Sequence, residues 1–329
     1  VSPAGGRAAG LLLGYAADRW PPDPRRGHPV AGFGRVAGAL ERRVWRDDRP
    51  TGAAYVVVLV GGTALVGVVA ERATVGRPLA RTLMTAVATW AVLGGTSLDR
   101  EGRAIHRQLE DGRLDDARGQ LTHLVGRDTS RLSESEVVRA AVESLAENTS
   151  DAVVAPLVWG AVAGVPGLVG YRAANTLDAM VGHRSARHGR FGWAAARLDD
   201  LLNLPGSRLT AALAVLLGPD RAAAVRTWSR DAAGHPSPNA GPVEAAFAGA
   251  LGIRLGGTNT YGTGDDQWVE HRAVLGDGRA PVGADLARAR GLARRVGLAA
   301  AVLTASSTVG WGRVTSGSPS PTGPLLTGR

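Results

Sequence analysis

Residues 52–70, GAAYVVVLVGGTALVGVVA, run without a single charge. At helical rise such a run is long enough to cross a hydrocarbon core of about 30 Å. Its side chains must meet lipid or a large apolar interior. Residues 82–98 form a second uncharged candidate. The stretch 152–171, AVVAPLVWGAVAGVPGLVGY, has the length but holds Pro156 and the pair Pro166-Gly167. Residues 209–219 span only if their helix extends back through Pro205, and 296–311 is short. A soluble bundle with buried apolar helices is the alternative, and the first run argues against it.

With 44% hydrophobic residues and only three Phe, the chemistry suits packed helices better than an aromatic-rich sandwich. No convincing strand run or internal repeat is read. Cysteine is absent, which excludes disulfides, thiolate metal sites and a thiol nucleophile. Every cation in the Lys+Arg total of 38 is arginine, so neither a Schiff-base lysine nor a P-loop lysine exists. The net charge of +9 does not lead to a nucleic-acid partner, because the arginines lie between the apolar runs as in membrane-protein loops. No signal-peptide pattern is read at Leu11–Leu13, where Asp18 and Arg19 follow closely.

The polar stretches are 18–51, 99–151, 172–208 and 220–295. If the first two apolar runs both span, 18–51 and 99–151 share one side. Their arginine content makes that side cytoplasmic, although the outer connection 71–81 also carries Arg72, Arg77 and Arg81. Ser133 and Glu136 predict a capped helix over 133–148. Residues 99–121 read as a charged surface helix interrupted near Gly112. The Gly/Ser/Thr/Pro-rich stretch from Gly312 onward reads as a disordered tail.

Four clusters carry possible chemistry. Glu143, Glu147 and Asp151 stand four apart and share a helix face, with Asn148 beside them. Like charges at that spacing invite a cation; the plainer reading is an exposed helix end with Glu143 paired to Arg139. The second cluster comprises Arg172, Asn175, Asp178, Arg184, Arg187, His188, Arg197, Asp199, Asp200 and Asn203. Its oxygen donors suit Mg²⁺ and its guanidinium forks suit phosphate or carboxylate. The third, His235-Pro-Ser-Pro-Asn239-Ala-Gly241 with Glu244, is either an anion site at a helix start or a structural entry turn. The fourth runs from Asp18-Arg19 through Asp23, Arg25, Arg26 and His28-Pro29.

These blocks resemble the CobD/CbiB family of adenosylcobinamide-phosphate synthases. The resemblance is carried by Asp18-Arg19 through His28-Pro29-Val30, ESLAENTSD at 143–151, NTLDAMVGHRSARHGRFGWAAARLDDLLN at 175–203, and HPSPNAGPVEAAFAGALGIRLGG at 235–257. The opening block departs from the family's usual form at Ala31-Gly32-Phe33. The resemblance implies an enzyme of the cytoplasmic membrane that joins adenosylcobyric acid to aminopropanol O-phosphate, or to ethanolamine phosphate, using ATP and Mg²⁺. A membrane prenyltransferase of the UbiA type and a non-catalytic AmpE-like membrane sensor are the rival readings.

On that basis the expected fold is an all-α polytopic membrane bundle with broken or re-entrant helices and cytoplasmic polar loops. Residues 1–311 form one integral-membrane catalytic domain. Glu147, Asp151 and Asp178 are expected to face the metal, joined by Asp199 or Asp200. Arg172 and Arg197 are expected to clamp ATP or phosphate, with Asn239 beside the nucleotide, while Asn148, Asn175 and Asn239 orient substrate. His235 or a spare carboxylate would serve as the base. A straight helix over 152–171 would part the two acidic clusters, so Pro166-Gly167 predicts a broken hairpin that returns both to one side. The same reasoning makes 204–219 a short dipping element.

Overall fold

A computed structural model of the chain describes residues 3–19, 28–183, 185–261 and 268–316. Arg184, residues 20–27 with Asp23, Arg25 and Arg26, and residues 317–329 of the expected tail lie outside the described residues.

Helix α1 (Pro3–Asp18) packs along α4 (Pro78–Val92), while α2 (Pro29–Val44) and α3 (Arg49–Arg72) lie between them in the chain. Local chemistry starts α3: Asp48 accepts a hydrogen bond from Thr51 N at 2.7 Å, and Pro50 occupies the first turn. Residues Val57, Val58, Leu65, Val66 and Val69 of this helix are exposed, as a lipid-facing helix requires. Helices α5 (Gly95–Glu110) and α6 (Leu114–Leu121) are separated at Gly112, as the sequence predicts. Helix α7 (Glu134–Thr149) opens with the expected capping box between Ser133 and Glu136.

A π-helical turn, Ser150–Val154, leads from α7 into α8 (Ala155–Leu177), and a second, Asp178–Gly182, ends it. The chain continues through α9 (Trp193–Leu217), α10 (Arg221–Asp231) and α11 (Ala240–Leu251). Strands β1 (Leu255–Tyr261) and β2 (Trp268–Leu275) then pair antiparallel before α12 (Gly283–Ser316). The main core gathers α7, α11 and α12 around residues such as Val137, Leu145, Phe247 and Val296. A smaller one ties α2 and α3 to the end of α8 and the start of α9 through Tyr55, Leu177 and Phe191.

Three expectations need correction. A β-hairpin exists at 255–275; its bulge at Gly256 interrupts the alternation by which strands are recognised. Residues 204–219 are not a separate dipping element, because α9 runs without interruption from Trp193 through Pro205 to Leu217. The last helix also continues past Gly312 to Ser316, so the expected tail begins later than its composition suggests. Among the described residues two stretches, Arg49–Arg72 and Glu134–Gly182, are long and apolar enough to cross a membrane.

The decisive local event is in α8. A straight helix of 23 residues would part its ends by about 35 Å. Instead Gly164 adopts φ 67° and ψ −146°, two residues before Pro166, and the helix turns back. Arg7 donates to the carbonyl of Ala161 at 3.3 Å in the last turn before the break, which satisfies a group the broken helix leaves open. Glu71 accepts from Arg7 at 3.1 Å and from Arg81 at 2.6 Å beside it. An added Cβ at Gly164 would combine an unfavourable φ with a clash against the Glu71 carboxylate. Gly164→Ala is therefore expected to cost about 1–3 kcal/mol. The thermal midpoint of detergent-solubilised protein measures this, and an unchanged midpoint would show that Gly164 does not set the bend.

Candidate functional site

The doubled-back α8 brings two distant acidic segments to one helix. From the first, Ser150 donates to Asn203 Oδ1 at 2.9 Å, and Asp151 accepts from Asn203 Nδ2 at 2.5 Å. From the second, Asn175 donates to Asp199 at 3.3 Å and accepts from Arg172 at 3.2 Å. Asp199 and Asn203 are one turn apart on α9, about 6 Å along its axis. The π-helical turns at both ends of α8 pack on this part of α9 and widen the helix locally; such turns recur at functional sites.

Asp199, Asn203 and Ser150 are buried, whereas Glu147, Asp151 and Asp178 are half-buried and keep some exposed surface. Burial pushes the Asp199 carboxyl up to about 7, with Asp178, Asp200 and Glu147 adding repulsion against the hydrogen bond from Asn175. The charges of Asp199, Glu147 and Asp178 all reach Asp151.

Glu143 is not the exposed acid paired to Arg139. It is buried, with Arg127 at 2.5 Å and the bulge amide of Gly256 donating to it at 2.8 Å, while Arg139 stands 3.9 Å away. The carboxylate thus anchors the β-hairpin to α7. Beyond it lies Glu244, alone in the apolar run of α11 and buried. Neither of its oxygens has a hydrogen-bond partner among the described residues. His235 Nε2 lies 3.7 Å from it, and His235 Nδ1 accepts from Ser237 N at 3.0 Å. Burial raises Glu244 well above the usual carboxylate range, with Glu143 and Glu147 adding to it. Burial, then the charge of Arg272, lowers His235.

Other predicted residues stand apart. Arg197 is 63% exposed and faces Asp200 at 3.5 Å, which makes it a surface pair rather than a guanidinium directed at the buried acids. Burial still raises Asp200, against Arg197. Arg187 and His188 hold Glu41 of α2 at 3.1 and 3.0 Å, and so fasten α2 to the loop before α9. Asn239 accepts from Ser207 at 2.9 Å and donates to the Asp200 carbonyl at 2.8 Å. The Ser237 hydroxyl accepts from the Asn239 and Ala240 amides at 3.2 and 3.1 Å, so this helix entry is satisfied from within. Asn148 donates to the Ser144 carbonyl at 2.9 Å.

Arg127 and Arg272 were missed, whereas Glu244 stands in the third cluster of the sequence as a lone charge in AGPVEAAFAGAL. The two arginines reach the acids only through tertiary contact.

Among the described residues no three carboxylates or histidines converge closely enough to form a ready-made metal cage. The donor chemistry nonetheless fits Mg²⁺. The ligands on offer are all oxygens, Asp199 is pushed up by burial first and by its acidic neighbours after that, and Mg²⁺ commonly takes one or two carboxylates with waters and substrate phosphates.

The family described as "CobD/Cbib protein" matches residues 11–293. The chain is 53% identical over 303 residues to "Cobalamin biosynthesis protein CobD" of Mycobacterium tuberculosis, covering 90% of this chain and 94% of that one. It is 42% identical over 276 residues to the protein of that name from Rhodobacter capsulatus, covering 82% and 86%. The identity is also 42%, over 310 residues, for the one from Chromobacterium violaceum, covering 89% and 96%. No solved structure matches the chain.

Two outcomes are expected. Glu143→Gln removes the carboxylate charge that faces buried Arg127 and is expected to cost on the order of 3 kcal/mol. The loss is read as a drop in thermal midpoint and in membrane abundance; a variant as stable as the parent would remove the anchoring role. Burial raises Asp199 from an ordinary 3.8 to about 7 in the folded state, which therefore holds the extra proton between those values. Stability is then lost as pH rises through this window, fully so above about 7. With a chelator present, Asp199→Asn should match the parent near pH 4 and exceed it at pH 8. A gap independent of pH would contradict the shift.

Proposed function

The chain belongs to the CobD/CbiB family of cobalamin biosynthesis proteins, and from that premise we propose that it is a membrane enzyme that forms an amide between adenosylcobyric acid and an amino-alcohol phosphate. The amine is aminopropanol O-phosphate or ethanolamine phosphate, and ATP supplies the driving force. The observation that supports this reading most strongly is the approach of Glu147 and Asp151 from one segment and Asp178 from another to Asp199 of α9.

In this reading ATP phosphorylates the corrinoid carboxylate, the amine nitrogen attacks the acyl carbon, and phosphate leaves. Mg²⁺, held by Asp151 and Asp178 with Glu147 or Asp199, supplies charge neutralisation for the transferring phosphoryl group. Asn203 holds Asp151 in place, and Asn175 holds Asp199. Arg172, which donates to Asn175 beside Asp199, serves as the phosphate clamp. The amine arrives as an ammonium and must lose a proton before it attacks. His235, kept neutral by burial beside Glu244, has a ring nitrogen free to take that proton and serves as the base.

The exposed apolar surface of α3 supports a membrane location. The arms of α8 before and after Gly164 rise about 14 and 20 Å, each short of a bilayer core, which suits a re-entrant hairpin opening to the cytoplasm. The pairing of Arg7 and Arg81 with Glu71 offsets the positive charge of the outer connection.

The test uses membranes supplied with adenosylcobyric acid, ATP, Mg²⁺ and each amine phosphate in turn, with the amide product quantified. Asp151→Asn should abolish product while the protein still accumulates in the membrane, and a chelator should do the same to the parent. An active Asp151→Asn enzyme would remove the proposed site.

A further inference from the structure

On the other side of α7 from the acids, a cavity of about 260 Å³ opens between α1, α5, α7 and α12. Leu145, Thr149 and Val153 form its inner wall, so the helix carrying Glu147 and Asp151 separates the two sites. Among the described residues, four arginines, Arg19, Arg103, Arg290 and Arg294, and two aspartates, Asp18 and Asp99, line it, an excess of two positive charges.

The aspartates are already engaged. Asp99 accepts from Arg290 through Nε at 2.9 Å and a terminal nitrogen at 3.1 Å, and from Arg103 at 3.1 Å. Asp18 accepts from Thr96 N at 3.2 Å at the start of α5. Arg19 lies against the Tyr15 hydroxyl and reaches the Arg294 carbonyl at 3.4 Å. The Arg294 guanidinium has no hydrogen-bond or ion-pair partner among the described residues. Arg290 is buried, and burial lowers its pKa, with the charges of Arg103 and Arg294 opposing it further. Asp99 and Asp18 offset two of these cations, and the Arg294 guanidinium at the cavity is left without a carboxylate among the described residues, which leaves room for an anion.

We infer that this cavity binds a phosphate monoester or diphosphate group, with Arg294, Arg103 and Arg19 as its cationic contacts and Arg290 fixed behind them by Asp99. Several guanidinium forks around one small volume match tetrahedral phosphate oxygens better than a single carboxylate. The volume lies below the roughly 300–1,000 Å³ of pockets for drug-sized ligands, which favours a phosphate head with a short tail. Such a group comes either from a small ester in solution or from a lipid headgroup. The inference stands independently of the amide-forming reading, since it concerns binding across α7 from the acids.

The full-length protein in non-ionic detergent is titrated calorimetrically with inorganic pyrophosphate, with a chelator present so that no metal bridges the ligand to the acids. In parallel it is floated with phosphatidylcholine vesicles with and without phosphatidic acid. The parent should bind in at least one arm. Arg294→Glu and the milder Arg294→Gln should each weaken that binding about tenfold or more, the loss of a charged hydrogen bond or two. Arg113→Ala, an exposed α6 position paired with Asp111 and Asp116, should leave it unchanged. Pyrophosphate binding identifies a soluble ester as the source, and binding only to phosphatidic acid vesicles identifies a lipid headgroup. No binding in either arm, or equal binding by the parent and both Arg294 variants, overturns the inference whatever the enzyme assay shows.

Discussion

The amide of Asn203 accepts from Ser150 with its oxygen and donates to Asp151 with its nitrogen, and much of the architecture serves to make that possible. A half-buried carboxylate among apolar helices is tolerable only when hydrogen bonds or counter-charges replace water. Asp151 gets this from α9, one turn from where Asp199 takes its bond from Asn175. Both bonds require that the chain leave α9's neighbourhood after Val154 and return by Leu177. Gly164 provides the return, and the π-helical turns at either end set the acids on the α9 side.

The partnering is deliberately incomplete in charge. Glu143 is balanced by Arg127 and the Gly256 amide, so it belongs to the scaffold. Asp151, Asp178, Asp199 and Glu147 are balanced among themselves only by neutral amides and by more distant arginines. Their mutual repulsion costs stability, and such a cost is commonly retained where a bound cation or substrate relieves it. Glu244 and His235 extend the polar seam into α11, which is otherwise apolar throughout.

A contrast in polarity runs along the bundle. Near the bend of α8, Glu71 sits between Arg7 and Arg81. At the opposite end the acids, the β-hairpin and the arginine-lined cavity lie together. Helix α3 bridges the two with exposed valines and leucines along its length.

Helical class, the capped start of α7, the break near Gly112 and the apolar run of α3 were legible in the sequence because each depends on residues within a few positions of one another. The break in α8 was legible from Pro166-Gly167, and with it the need for both acidic segments to meet; the left-handed residue proved to be Gly164, the one position there whose φ demands glycine. The hairpin at 255–275 was hidden by its bulge, and Pro205 suggested a boundary where α9 simply continues. Which of the acids are scaffold and which are poised for a cation could not be read from spacing. Glu143, Glu147 and Asp151 look equivalent at four-residue intervals, yet one meets Arg127, 16 positions away, and another Asn203, 52 positions away. Residue types and helical periodicity determine what a face offers. Only the tertiary structure decides what stands opposite it, because counter-charge and burial depend on contacts between segments that sequence separation does not constrain.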